Sequence, residues 1–313
     1  MEFYVRRLLT LIASLLGISL ITFLVFQVIP GDPALLVLGT EADPAALDAL
    51  RREFGMHLPF HTRYFNWISA AVTGDLGRSI RLGKPVTELL AQRLPVTVSL
   101  AAFSILFTVL LSLPLGVMAA VNRGTFKDYG IMLFAQMGIA IPSFWAGILL
   151  ILLFAVKLRM FSAGGFVPWQ ENAYLAFKSL VLPSAALGLQ RAAILTRMVR
   201  SSMLETLSMD YVRTARAKGL PERTVVYKHA LKNAMIPVIT VLGLHVAGLI
   251  AGSIIIEQVF SLPGMGRLML MAISYRDFPL IQGLVLFVAS VVVIMNFVVD
   301  MTYTLLDPRI RYS

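Results

Sequence analysis

Five stretches of the chain contain no Lys, Arg, Asp or Glu: 8–29, 94–121, 129–156, 234–256 and 280–299. Each holds about 20 or more residues, enough for a helix to cross a hydrocarbon core of about 30 Å. A sixth stretch, 180–199, is interrupted by Arg191 and Arg197 but has to cross as well, or the two termini would fall on opposite sides. The pattern therefore predicts an all-α membrane protein with about six transmembrane helices. The first stretch is longer than a signal-peptide core and ends in Gln27-Val28-Ile29-Pro30-Gly31-Asp32-Pro33 with no small-x-small site, so it reads as an uncleaved anchor.

Helical periodicity also marks the polar segments. In 31–93, Asp43-Pro44 forms a cap followed by proline at the first helical position. Leu47, Leu50 and Phe54 follow at helical spacing, and Gly55 ends that helix. A second short helix is predicted from Phe60 to about Val72, with Phe60, Tyr64, Trp67, Ile68 and Ala71 on one face, and a third near Pro85 leads into the second span. These helices either lie at the bilayer surface over the bundle or dock a partner over the pore mouth. In 200–232, Met203, Leu207, Tyr211 and Ala215 recur four apart, Gly219 supplies a left-handed stop, and Leu220-Pro221-Glu222 opens another helix. Ala215, Ala217 and Gly219 are read as a small-residue surface open to close approach by another backbone. The organisation expected is an N-terminal span (1–30), a periplasmic helical segment (31–93), a five-helix core (94–306) containing the loop 200–232, and a tail (307–313).

Composition and charge sharpen this picture. Hydrophobic residues make up 58% of the 313 and charged ones 14%, against about 45–50% and 25% in soluble domains. There is no cysteine, which removes disulfides and thiolate chemistry. The net charge of +10 is a topology signal more than a nucleic-acid footprint. Arg6, Arg7, Arg123, Lys127, the cations of 197–232, Arg309 and Arg311 fall on one side, which the positive-inside rule makes cytoplasmic, together with both termini.

Within the spans, acids occur only at ends, as Glu257 and Asp300, whereas ion-coupled carriers keep carboxylates at mid-membrane. Energy for uphill transport would then come from a partner ATPase. Arg191 and His245 are the deep ionisable residues. Arg191 is a candidate for a carboxylate on the cargo or for pairing inside the bundle; His245 reads as a hydrogen-bonded packing residue or a pore residue. Gly77-Arg78-Ser79-Ile80-Arg81-Leu82-Gly83-Lys84-Pro85 imitates a phosphate-binding loop but is one residue too long and ends in proline. His57 and His61 are four apart with Pro59 between them and no neighbouring acid, a poor metal pair, and no Gly-x-Ser-x-Gly elbow occurs. A stand-alone channel or carrier and an intramembrane enzyme remain as readings from other classes.

The run Asp210-Tyr211-Val212-Arg213-Thr214-Ala215-Arg216-Ala217-Lys218-Gly219-Leu220, followed by His229-Ala230-Leu231-Lys232-Asn233-Ala234-Met235-Ile236-Pro237, resembles the membrane subunits of dipeptide and oligopeptide ABC importers. So do Ile29-Pro30-Gly31-Asp32-Pro33, Gly74-Asp75-Leu76-Gly77-Arg78-Ser79, Glu257-Gln258-Val259-Phe260, Pro263-Gly264-Met265-Gly266-Arg267-Leu268, Arg276-Asp277-Phe278-Pro279 and Asp307-Pro308-Arg309-Ile310-Arg311. The resemblance runs end to end. It implies the B-type half of a heterodimeric type I pore, with a second related permease, two cytoplasmic ATPase subunits, and a periplasmic or lipid-anchored binding protein. It also implies that this chain is not an enzyme and holds no cofactor, with ATP and Mg²⁺ bound by the partner subunits. ABC importers in general carry a Glu-Ala-Ala-x-x-x-Gly pattern in this loop. Here Arg213, Thr214, Ala215 and Gly219 stand at its marked positions, and Lys232 stands where many relatives have proline. The residues implied in coupling to the ATPase are Leu204, Leu207, Asp210, Tyr211, Arg213, Thr214, Ala215, Arg216, Ala217, Lys218 and Gly219. Related permeases move peptides, glutathione, nickel chelates, haem or oligosaccharides, and the chain leaves that choice open.

Overall fold

A computed structural model describes residues 2–28, 34–35, 43–53 and 55–306. The helices are α1 (Glu2–Val28), α2 (Pro44–Glu53), α3 (Phe60–Val72), α4 (Val86–Val121), α5 (Phe126–Ala140) and α6 (Ser143–Leu150), then α7 (Ala173–Leu207), α8 (Asp210–Ala217), α9 (Leu231–Val259), α10 (Met265–Ser274) and α11 (Phe278–Leu306). A π-helical stretch, Ile151–Lys157, prolongs α6; the turn Glu222–Thr224 and a second π-helical stretch, Val225–Ala230, lead into α9. Among the described residues there is no strand, only a lone antiparallel bridge between Arg78 and Pro85. The motifs at 29–33 and 307–311, and Phe54, lie outside the described residues.

Four described helices are long and apolar enough to cross a bilayer: Arg6–Phe26, Val86–Val121, Ala173–Leu207 and Phe278–Val299. The apolar stretch 234–256 lies inside α9, a 29-residue helix. The span expected over 129–156 is bent: α5 and the α6 segment meet at 106°, and they make a fifth crossing if taken as one broken span. The break falls at Ile141, whose backbone is extended (φ −84°, ψ 120°), as proline disfavours helix in the residue before it. Pro183 does not break α7, where it is buried among neighbours.

Many large apolar side chains are exposed, among them Leu8, Leu9, Ile21, Leu106, Leu110, Leu133 and Met137. So broad an exposed apolar surface suits lipid and not water. Burial separates the helices by role: 61% of the apolar window of α7 is inside the protein, against 17% of that of α1.

By their internal contacts, residues 1–96 with 264–297 form one compact unit, and 97–263 with 298–313 form another. In the first unit, the predicted aromatic face of α3 is real but is turned onto α1. Phe23 meets Phe60, Tyr64 and Trp67 at ring-centroid distances of 5.2, 5.4 and 5.7 Å, and Ser19 Oγ and Tyr64 Oη share a 2.8 Å hydrogen bond. Val86, Leu89 and Leu90 pack against Met265, Leu268, Ala272, Leu280 and Leu284.

The hairpin that imitates a phosphate loop does cradle an anion, and the anion is the protein's own Asp277. Ser79 Oγ donates to Asp277 Oδ2 at 2.5 Å, the Arg81 amide at 3.1 Å, and the Ile80 amide to Oδ1 at 3.2 Å. The same carboxylate caps α11, accepting from the Leu280 amide at 3.3 Å. Asp277 is 2% exposed, and the Ser79 and Leu280 donors are buried with it.

In the second unit, α7 is surrounded by α4, α5, α6 and α9. The approach is close enough to demand glycine. A Cβ on Gly116 of α4 would lie 2.5 Å from Val199 Cβ, and one on Gly188 of α7 would lie 2.9 Å from the Ser104 carbonyl oxygen. Small residues bring transmembrane helices within reach of backbone contacts; here Thr108 Oγ1 donates to the Gly188 carbonyl at 3.2 Å.

Asp277→Ala is expected to destabilise the detergent-solubilised protein by about 1–3 kcal/mol, because it strands buried donors. Asp277→Asn, which can still accept, is expected to lose less. A thermal-unfolding comparison checks this; equal melting of wild type and the alanine variant would contradict it.

Candidate functional site

The loop begins where α7 ends. The four-residue spacing of Met203, Leu207, Tyr211 and Ala215 reads as a single helical face, but the helix stops at Leu207 and restarts at Asp210, with Met209 extended between them (φ −73°, ψ 151°). Met203 is fully buried against Val117, Leu195, Val199 and Val226. Leu204 packs partly buried beside that cluster, while Leu207 touches both it and a smaller one made by Val212, Ala215 and Val225. The restart rotates the helix, so Val212 takes the inward place that the spacing assigned to Tyr211. Tyr211 is 39% exposed and is held by its hydroxyl, which accepts from Asn233 Nδ2 at 2.8 Å and donates to the His229 carbonyl at 3.5 Å.

The small-residue surface is corrected too. Ala215 is 6% exposed and faces inward, whereas Ala217 and Gly219 are exposed. With them on the open face stand Asp210, Arg213, Thr214, Arg216 and Lys218. Gly219 has φ +76°, a conformation that costs any residue with a Cβ. Its amide bonds the Arg216 carbonyl at 2.9 Å, and the Leu220 amide reaches the Ala215 carbonyl at 3.4 Å. This pairing closes the C-terminus of a helix with a left-handed residue.

Across the turn, Arg216 holds Glu222 through two parallel bonds, Nε to Oε2 at 3.1 Å and NH2 to Oε1 at 2.7 Å. Hydrogen bonding within the pair pushes the Glu222 carboxyl below its ordinary pKa and raises that of Arg216. The periodicity gave no sign of this pair, although an Arg and a Glu flanking Gly219-Leu220-Pro221 were its available signal. Beside it lies a cavity of about 270 Å³ lined by Ala120, Val121, Arg123, Leu204, Leu207, Ser208, Arg216 and Glu222.

A second ion pair secures the helix behind the loop. Arg200 of α7 grips Asp128 of α5 with Nε to Oδ1 at 2.6 Å and NH2 to Oδ2 at 2.7 Å. The Gly124 amide adds a third bond at 3.0 Å. The Asp128 side chain is 3% exposed. Arg200 counts only as a topology charge in the sequence, because nothing local pairs it with a residue 72 positions away.

Of the two deep ionisable residues, Arg191 sits midway along α7. It donates from NH1 to the Leu187 carbonyl at 2.9 Å and from NH2 to the Gly248 carbonyl of α9 at 3.1 Å. Among the described residues no carboxylate pairs with it. An arginine at the centre of a transmembrane helix costs about 2.5–3.5 kcal/mol on insertion scales, so its retention has to be accounted for. The backbone of His245 lies in α9, and its side chain is outside the described residues. Glu257, read as a span-end acid, is near the end of α9 but fully buried, with Thr97 Oγ1 donating to it at 2.7 Å. His57 falls in the turn before α3 and His61 in its first turn, so the two do not share a helix.

Long apolar helices with a basic helix–Gly–helix element following α7 mark a multi-pass membrane protein. The chain belongs to the inner-membrane components of binding-protein-dependent transport systems: that family's model matches residues 112–312, and its N-terminal companion matches 1–101. It is a permease subunit of a binding-protein-dependent ABC importer. It is 39% identical to the oligopeptide transport system permease protein AppB of Bacillus subtilis over 99% of both chains. It is 40% identical to the glutathione transport system permease protein GsiC of Escherichia coli O6:H1, over the whole of both. The fold is shared with an inward-facing structure of the MetNI methionine ABC transporter, with a TM-score of 0.57 at 18% identity, covering 70% of this chain and 96% of that one.

Because the Glu222 carboxyl is depressed when folded, the Arg216 bridge contributes at neutral pH and fades as pH falls through and below the usual glutamate value of about 4.3. Glu222→Gln is expected to raise amide exchange at 218–220 by roughly 1.5- to 5-fold at pH 7, the range for an exposed pair. Hydrogen-exchange mass spectrometry at pH 7 checks it; unchanged exchange would remove the pair from loop ordering.

Proposed function

We propose that this chain is the B-type half of a heterodimeric pore that imports dipeptides and oligopeptides across the bacterial inner membrane. In this reading both termini and α8 lie in the cytoplasm, as the distribution of Lys and Arg requires. The partners are a second related permease, two ATPase subunits that bind ATP and Mg²⁺, and a periplasmic or lipid-anchored binding protein. The chain itself hydrolyses nothing. Supporting this is the exposed helix α8, stopped by Gly219 and bracketed by Arg216 and Glu222 at the place where importers dock their ATPase.

The docking surface is assigned to the open face, Asp210, Arg213, Thr214, Arg216, Ala217, Lys218 and Gly219. Leu204, Leu207 and Ala215 support it from within, and Tyr211 ties it to Asn233 and the His229 carbonyl. ATP binding favours one arrangement of the ATPases, and α8 passes that preference to α7 as a population shift between outward- and inward-open pores. The segment 31–93 meets the binding protein or covers the pore mouth. Glutathione is the second cargo reading, favoured by the 40% identity to a glutathione permease.

Affinity purification of the tagged chain in mild detergent is expected to bring down ATPase subunits and a second permease, with hydrolysis stimulated by a binding protein. A chain that comes away alone and still moves solute in liposomes would replace this reading with a self-sufficient carrier. Gly219→Val places a β-branched residue in a left-handed turn, at a cost of about 1–3 kcal/mol. It is expected to abolish uptake while membrane levels stay at wild type. Normal uptake by that variant would remove the coupling role.

A further inference from the structure

Arg191 is a charge in the middle of the most buried of the four described membrane-length helices, and no carboxylate pairs with it within the described residues. A guanidinium has five N–H donors in a planar fork. Two of its contacts are known, to the Leu187 and Gly248 carbonyls, and both are to neutral dipoles. They orient the group without cancelling its charge. The facing surface of α9 is cut back to receive it: a Cβ on Gly252 would come within 3.0 Å of Arg191 NH2, and one on Gly248 within 4.0 Å. Gly248 is exposed and Arg191 only half-buried, so the fork is reached from outside the α7–α9 pair.

A charge kept inside a membrane protein lines a pathway or meets a counter-charge. Two other arginines, Arg200 and Arg216, each grip a carboxylate with two bonds, to Asp128 and Glu222. Arg191 has the same fork, pre-aimed by two carbonyls, and no described carboxylate.

We propose that Arg191 supplies a transient site for a cargo carboxylate during passage through the membrane, making the pore itself selective for carboxylate-bearing solutes. The site takes the free α-carboxylate of a short peptide through the bidentate geometry that guanidinium and carboxylate share. Its contacts to Leu187 and Gly248 hold the fork in place between cargoes. The proposal rests on the peptide-importer reading and adds that selection continues in the pore after the binding protein releases its ligand.

The test uses the complete importer in proteoliposomes, with trialanine and trialanine amide as cargoes, and compares Arg191→Gln and Arg191→Lys with wild type. Glutamine can still donate to the Leu187 and Gly248 carbonyls, so it removes the charge while keeping the tie between the helices. Arg191→Gln is expected to cut trialanine uptake about tenfold or more, the scale of a lost charge-assisted bond. Uptake of the amide is expected to stay within about twofold, with Arg191→Lys falling between for the free acid. Binding-protein-stimulated ATPase activity is expected to persist in both variants. Equal loss for both cargoes, or no loss for either, overturns the proposal and leaves Arg191 as a tie between α7 and α9. If wild type carries the acid alone, loss in the glutamine variant with retention in the lysine variant upholds it, and any other pattern overturns it. Wild type carrying neither cargo overturns the peptide reading, and this proposal with it.

Discussion

The close approach of helices onto α7 is the constraint on which the rest of the second unit depends. Gly116 against Val199, and Gly188 against the Ser104 carbonyl, leave no room for a methyl group. In lipid the tails are as apolar as the side chains, so packing and backbone contacts have to supply the association energy that water supplies to soluble proteins. A helix clamped this tightly is held as one continuous element from Ala173 to Leu207. α7 carries Arg191 at its middle, Arg200 further on, and Leu207 at the point where it hands over to α8. Arg191 and Leu207 are separated by about 24 Å of helix at 1.5 Å per residue. A tilt imposed at one end is therefore delivered at the other, which is what the proposed coupling requires.

Within each unit, most charged groups removed from water are given a fixed partner, because burying one without a partner is costly. Asp277 collects the donors of a hairpin and the first turn of a helix. Asp128 takes both prongs of Arg200 and the Gly124 amide, and Thr97 donates to the buried Glu257. The exposed pair Arg216–Glu222 differs in kind: solvent screens it, and its use is to set an angle more than to add stability. Arg191 stands apart because it lies midway along α7 with only neutral carbonyls as its described partners, and that position makes it the functional candidate.

The bent pair α5–α6 and the break between α7 and α8 show two ways in which a helical pattern misleads. Pro142 forces Ile141 out of helical geometry although the apolar run passes through it without interruption. At Ser208 and Met209 the four-residue spacing continues across a break, so the face it defines does not exist. In both places the residue pattern carries on along the chain while the backbone turns.

Composition, charge-free stretches and caps were enough to establish by themselves a multi-pass helical membrane protein. They also placed the short helices starting at Pro44 and Phe60 and the left-handed stop at Gly219. Those features are local: they depend on transfer energies of neighbouring residues and on backbone sterics, which the order of residues states directly. The tertiary structure alone decided that Ala215 faces inward and Val212 replaces Tyr211. It alone decided that the apparent phosphate loop binds Asp277, and that Arg200 finds Asp128 while Arg191, among the described residues, finds carbonyls. These outcomes depend on which helices come together and how each is rotated, a property of the packed bundle that no spacing along one helix contains.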